Sequence, residues 1–158
     1  MKIMGIDPGY ERVGIAIIEK DSKKKEELLY SDCFKTSQKL ELNERLFLIG
    51  QEIEKLIKKY SPEKLAIENL FFQNNQKTVM GVSQSRGTII YVAKCHDLEI
   101  LEYTPLQIKN ATTGYGKATK DQVYSMVKQL IDIPDDVKQD DEIDAIAIGL
   151  TAFAHQRF

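Results

Sequence analysis

Ile3-Met4-Gly5-Ile6-Asp7-Pro8-Gly9 opens the chain with a short apolar run that ends on a carboxylate and a turn. Such a run, closed by Pro and Gly, predicts a buried strand over Lys2 to Asp7. An ionised carboxylate at the end of a buried strand is costly unless something cationic neutralises it. The design recurs at Leu65-Ala66-Ile67-Glu68, inside a strand predicted over Lys64 to Asn69. Two further acids stand three apart in Asp141-Glu142-Ile143-Asp144, at the start of a predicted helix, and so share one face. Carboxylates from these three stretches can converge on hard divalent cations. Two cations about 3.5–4 Å apart clamp a phosphodiester, one activating water and the other stabilising the leaving oxygen. A ligand that touches both must sit centrally, which points to Asp7. The other reading of Asp141 and Asp144 is a solvated helix start, favoured by the helix dipole. Ala145-Ile146-Ala147-Ile148 follows at once, so Asp144 borders a buried face. With Asp7 and Glu68 included, the metal site is the favoured reading. Asp135, Asp136 and Asp140 read as solvent charges, and Glu142 as a supporting or surface residue off the shared face.

Outward from the first strand, Val13 to Glu19 and Leu28 to Lys35 read as two more strands. Their short connections make an antiparallel meander. Lys23-Lys24-Lys25-Glu26-Glu27 is its solvated tip. Leu40 to Tyr60 carries Leu42, Leu46, Ile49, Ile53, Leu56 and Ile57 at helical spacing, and Ser61-Pro62 ends it. The fourth strand follows this helical crossover and is therefore parallel to the first. A helix is predicted over Gln76 to Cys95 and a fifth strand over Leu98 to Tyr103. Three more helices follow: one from Pro105 to just before Gly114-Tyr115-Gly116, one over Lys120 to Ile131, and one over Asp140 to Gln156. The order βββαβαβααα predicts a three-layer α/β domain, a mixed sheet flanked by helices. Asp7 and Glu68 then emerge side by side at the sheet edge where open α/β sheets bind ligands.

A chain of 158 residues suits one globular domain over 1–158 and needs no staples. Its 42% apolar and 29% charged content excludes a disordered or membrane-embedded class. Cys33 and Cys95 make no disulfide framework, which fits a reducing, cytoplasmic setting. No stretch reaches the length of a membrane span, and the N-terminus has no signal-peptide pattern. The net charge of −2 weighs against a nucleic-acid partner. That objection weakens if four acids are held under metal.

At these residues the chain resembles the RuvC family of Holliday-junction resolvases, in the RNase H-like superfamily. The resemblance rests on Gly5-Ile6-Asp7-Pro8-Gly9, Ala66-Ile67-Glu68-Asn69-Leu70-Phe71, Gln84-Ser85-Arg86-Gly87 and Asp141-x-x-Asp144-Ala145-x-Ala147, in this order along nearly the whole chain. It implies an RNase H-like α/β fold with a five-stranded sheet in the order 3-2-1-4-5, strand 2 antiparallel. It implies a homodimer that recognises four-way junction DNA and nicks two strands symmetrically, leaving 5′-phosphate ends. The implied cofactor is Mg²⁺, two per active site, with Mn²⁺ as a substitute. The implied partner is a branch-migration complex, RuvA and RuvB. Catalytic and metal-ligating roles carry over to Asp7, Glu68, Asp141 and Asp144, and catalytic assistance to Lys109 and Lys120.

Phe71 and Phe72 are adjacent aromatics in a polar loop, and one of them can stack on an unpaired base. The family's stacking position corresponds to Phe71; a hydrophobic staple for the next helix is the other reading of Phe72. Lys109, Lys117, Lys120 and Lys128 face only Asp121 between 109 and 128, a local charge of +3 on an acidic chain. This patch surrounds Gly114-Tyr115-Gly116, whose backbone N–H groups can approach phosphate. An ordinary charged helix face is its other reading. Arg86 either contacts the DNA backbone or braces its own helix. Gly81, Ser85 and Gly87 in the 76–95 helix mark a close approach, to the chain's own sheet or to a twofold partner. His96 and His155 are isolated, and neither cysteine reads as a nucleophile. Two other functions share parts of this pattern. One is an RNase H-like nuclease acting on RNA or an RNA–DNA hybrid. The other is an actin-like nucleotide-binding domain, which also starts with a strand ending in Asp-x-Gly but needs two such domains.

Overall fold

Alternation of side chains along five strands gives this sheet two different faces, and each face is covered by its own helices. A computed structural model describes residues 1–21, 24–69, 76–134, 137 and 139–156. The strands are β1 Lys2–Asp7, β2 Arg12–Glu19, β3 Glu27–Lys35, β4 Lys64–Glu68 and β5 Glu99–Tyr103. The helices are α1 Leu42–Tyr60, α2 Gln76–Cys95, α3 Pro105–Thr113, α4 Lys120–Leu130 and α5 Asp140–His155. The sheet order is β3-β2-β1-β4-β5. β2 runs antiparallel to β1 and β3, while β4 runs parallel to β1 and β5. This is the mixed sheet expected from the sequence. Element ends shift by a residue or two. α1 starts at Leu42 rather than Leu40, because Glu41 is extended and Leu40 turns back to bond Ser37.

On one face, Met4, Ile6, Ile15, Ile17, Leu65 and Ile67 pack against Ile49 and Ile53 of α1 and Ile89 and Ala93 of α2. On the other, Ile3, Ala16, Ile18 and Ala66 pack against α5 and the α4 residues Val123 and Val127. Period-two alternation makes the assignment. It also puts Asp7, Arg12, Gly14, Cys33 and Glu68 on the α5 face. The predicted α1 stripe is buried at Ile49, Ile53, Leu56 and Ile57, whereas Leu42 and Leu46 are half-covered. Buried Arg45 donates to the Leu40 carbonyl, 3.1 Å away, and lies over the Tyr10 ring.

α5 lies unusually close to the sheet. A Cβ at Gly5 would overlap the Ala145 carbonyl oxygen and stand 2.8 Å from the Gly149 nitrogen. A Cβ at Gly14 would overlap the Asp141 carbonyl and stand 3.2 Å from the Asp141 Cβ. Helix backbone therefore rests directly on strand backbone, with no side chain between them. α2 uses the same device against the β1–β2 turn. Gly81 sits on the Tyr10 ring, and the Ser85 hydroxyl donates to the Gly9 carbonyl at 2.5 Å. Two of the three small α2 residues thus serve packing within the chain, while Gly87 faces open space.

Replacing Gly5 by Ala should lower stability by about 1–3 kcal/mol, the range for overpacking a close-packed interior. Here the obstruction is backbone, which cannot rotate away. Thermal unfolding of the variant checks this, and an unchanged Tm would mean that α5 sits further from β1.

Candidate active site

Asp7 closes β1 and Glu68 closes β4, the two parallel strands at the centre of the sheet. Their side chains point to the α5 face, and α5 begins above them. Asp144 enters one turn into that helix. Lys109 and Lys120 arrive from α3 and α4, whose starts are fixed by paired caps. Thr104 and Gln107 form a capping box with Pro105 at the first helical turn of α3. Thr119 and Gln122 do the same for α4, which places Lys120 on its first residue. Gly114, at φ 71°, ends α3 in the left-handed conformation that glycine adopts without strain. The result is a cleft of about 430 Å³ lined by Asp7, Glu68, Asp144, Lys109 and Lys120, with Ile108, Val123 and Ile148 as its apolar wall.

The electrostatics are one-sided. Burial, reinforced by Asp144, Glu68 and Asp141, pushes the Asp7 carboxyl up to about 8, and Lys120 offsets this only in part. Burial and then Asp144 raise Glu68. Burial also raises Asp144, although Lys120 stands 3.5 Å from it. Lys120 is raised in turn, chiefly by Asp144. Repelling acids that are withdrawn from water call for a compact positive charge. An all-oxygen, all-carboxylate donor set is the kind that Mg²⁺ and Mn²⁺ prefer. The residues therefore fit a hard divalent cation in their chemistry. Among the described residues, no three acidic, His or Cys side chains are drawn together into a ready-made metal cage.

Asp141 explains part of that. It does not line the cleft; its carboxylate is held over β2 and β3. Arg12 pairs with its Oδ2, and the Cys33 thiol donates to the same oxygen at 3.4 Å. Asp141 still lies near enough to contribute to the raised Asp7 carboxyl. Neither Arg12 nor Cys33 was expected here. The available signal was alternation, since Arg12 stands two residues before Gly14, which pairs with Cys33 across the strands. Of the two readings of Glu142, supporting or surface, burial removes the surface one, and its carboxylate accepts from the Ser31 hydroxyl at 3.0 Å. Lys117 is exposed outside the cleft. Arg86 turns inward: its Nε donates to the Glu68 carbonyl at 3.2 Å, and its guanidinium pairs with Glu102. Phe71 and Phe72 lie outside the described residues. His96 stands 3.5 Å from Glu54, and His155 packs on the Tyr103 ring, both away from the cleft.

An α/β sheet of this order, with acids gathered at the carboxyl ends of its central strands, defines an RNase H-like nuclease. The chain belongs to the RuvC family: residues 3–152 match the family described as crossover junction endodeoxyribonuclease RuvC. RuvC of Finegoldia magna is 43% identical over 158 residues, covering 100% of this chain and 96% of that protein. RuvC of Thermosipho melanesiensis is 40% identical over 158 residues, covering both chains in full. The solved structure of T. thermophilus RuvC in complex with Holliday junction substrate has a TM-score of 0.89 at 28% identity, covering 96% of this chain and 92% of that one. The yeast mitochondrial Holliday junction resolvase shares the fold, with a TM-score of 0.73 at 12% identity, covering 96% of this chain and 77% of that one. This chain is a crossover junction endodeoxyribonuclease, of a family of metal-dependent nucleases. The family match decides against the RNA-directed and actin-like alternatives. No helix among the described residues is long and apolar enough to cross a membrane.

The raised Asp7 carboxyl sets a pH dependence for the metal-free protein. Its folded value is about 8, against roughly 4 unfolded. Between those values the folded state binds more protons, so stability falls as pH rises through that window. Asp7→Asn removes the ionisation and should raise the Tm of metal-free protein more at pH 8 than at pH 5. Melting curves in chelator at both pH values check the sign; an equal shift would mean that Asp7 is not under this strain.

Proposed function

We propose that this protein resolves four-way DNA junctions in recombination and repair by paired symmetric nicks that leave 5′-phosphate ends. The observation that carries this is the convergence of Asp7, Glu68 and Asp144 with Lys109 and Lys120 in one cleft at the sheet edge. Asp7, Glu68, Asp141 and Asp144 would hold the metal. When bound, Mg²⁺ (two ions per site, with Mn²⁺ as a substitute) supplies an activated water and stabilises the leaving oxygen. The chain's own groups do the rest. Asp7, closing the central strand β1, would be a ligand of the metal. Lys109 and Lys120 offer ammonium groups to the scissile phosphate, so charge that grows there meets fixed donors. Ile108, Val123 and Ile148 form the apolar wall beside those donors. Lys117, exposed beside the cleft, extends the positive track for the DNA backbone. Phe71, or its neighbour Phe72, stacks on a base opened at the strand exchange. Arg86 braces the end of β4, and a DNA contact from it requires release of Glu102.

The reading includes a single nuclease domain over 1–158, a cytoplasmic setting, and partnership with a branch-migration complex of RuvA and RuvB. It also includes a homodimer through α2. Met80 and Tyr91 are 64% and 70% exposed, on the face that also carries Gly87. Phe47 of the neighbouring α1 is 60% exposed. Methionine and aromatic residues are enriched in protein interfaces. A twofold enzyme suits a substrate that is itself nearly twofold. Sedimentation of the purified protein should give twice the chain mass, and a persistent monomer would remove this surface from the reading.

The central test sets a junction, an RNA–DNA hybrid and a linear duplex side by side with Mg²⁺. The wild type should cut the junction selectively. Asp7→Asn should bind the junction as tightly and cut it at least about a hundred-fold more slowly. Unchanged turnover would remove Asp7 from the mechanism, and preference for the hybrid would overturn the substrate assignment.

A further inference from the structure

We propose that Arg12 is a positioning residue that parks Asp141 outside the cleft, so that its ion pair must open before Asp141 can serve a metal. This rests on the four-carboxylate reading above and adds a residue to it. The Asp141 Oδ2 atom is taken twice, by the Arg12 guanidinium and by the Cys33 thiol at 3.4 Å. Arg12 stands on β2 and Cys33 on β3, whereas Asp7 and Glu68 stand on β1 and β4. In the order β3-β2-β1-β4-β5, both holds on Asp141 therefore come from the side away from Glu68. Asp144, one turn further along the same helix face, lines the cleft, and Asp141 does not. Gly14 lets the Asp141 backbone come down onto β2, which brings its carboxylate within reach of Arg12 and Cys33.

A supporting residue usually does the opposite. It grips a ligand's outer oxygen and turns the inner one toward the metal, and its loss weakens metal binding. What separates Arg12 from that role is the place of Asp141 itself: Asp144 lines the cleft and Asp141 does not. Its charge also opposes an incoming cation. The side chain is half exposed, at 50%, so the guanidinium can swing into water when the pair opens. Lys120 is different: it pairs with Asp144 from within the cleft, where a substrate phosphate can take it over.

The test is Mn²⁺ binding to the DNA-free protein, read from the electron paramagnetic resonance signal of the free ion, so no turnover enters. Arg12→Gln should bind Mn²⁺ about three- to five-fold more tightly, the scale of a partly exposed ion pair. Arg12→Lys keeps the charge and should stay near the wild type. Asp141→Asn added to Arg12→Gln should erase the gain. Equal or weaker binding by Arg12→Gln, with Asp141→Asn still weakening the wild type, would overturn the parking role alone. Unchanged binding by Asp141→Asn in the wild-type background would overturn the four-carboxylate reading and this inference with it.

Discussion

Contact between the backbone of α5 and the backbone of β1 and β2 is the constraint on which everything else depends. Helices ordinarily rest on sheets through a layer of side chains. Here Gly5, Gly14 and Gly149 remove that layer, and Ala145 keeps the helix face thin. The gain is reach. An aspartate side chain is short, and Asp144 could not share a cleft with the ends of β1 and β4 from a normally spaced helix. Backbone packing also fixes the helix in rotation and translation at once. A side-chain layer would allow small repacking shifts. Glycine against carbonyl allows almost none, so the acids are held in place by the least deformable part of the chain.

That placement is electrostatically unfavourable by itself, as the proposed cation site requires. Asp7, Glu68 and Asp144 each hold their protons more tightly than free carboxylates, with burial as the largest cause. The chain softens the repulsion with its own cations: Lys120 against Asp144, and Arg12 against Asp141. Such pairs matter less for stability than for occupancy. An exposed ion pair contributes little to folding. On the proposed reading, a divalent cation in the cleft would have to displace or outweigh the Lys120–Asp144 pair, and a phosphate could take over the lysine it frees. On that reading, charge compensation in the resting protein would foreshadow the exchange of partners during cleavage.

Most of the framework was legible because it obeys strong periodicities. The apolar runs ending at Asp7 and Glu68, and the helical stripe ending at Ile57, each allow one main reading. Asp7 and Glu68 stood out for the same reason: a charge at the end of a buried strand is out of place unless it has a purpose. What escaped depends on cross-strand geometry. Nothing local in Arg12 marks it as a partner of Asp141, a residue 129 positions away. Glu142 read as either a supporting or a surface residue because helix spacing places it off the Asp141–Asp144 face. It is buried because β3 rises beside it and supplies Ser31. Gly81 and Ser85 announced a close approach without saying to what. The answer lay in the β1–β2 turn, whose path no helix pattern reveals.

The motif Gln84-Ser85-Arg86-Gly87 acquires a mechanical meaning once those contacts are seen together. Ser85 holds the Gly9 carbonyl, just past Asp7, and Arg86 holds the carbonyl of Glu68 itself. Adjacent residues of one helix thereby grip the ends of both central strands, which carry the two deepest acids of the site. Gly87, next in the chain, points the other way into open space, on the face that carries exposed Tyr91. α2 therefore touches both strand ends on its inner side and presents the proposed twofold surface on its outer side. A partner packed against that surface would press the helix onto its own sheet and limit the freedom of Asp7 and Glu68. Dimerisation would then do more than supply a second cutting site: it would stiffen the first.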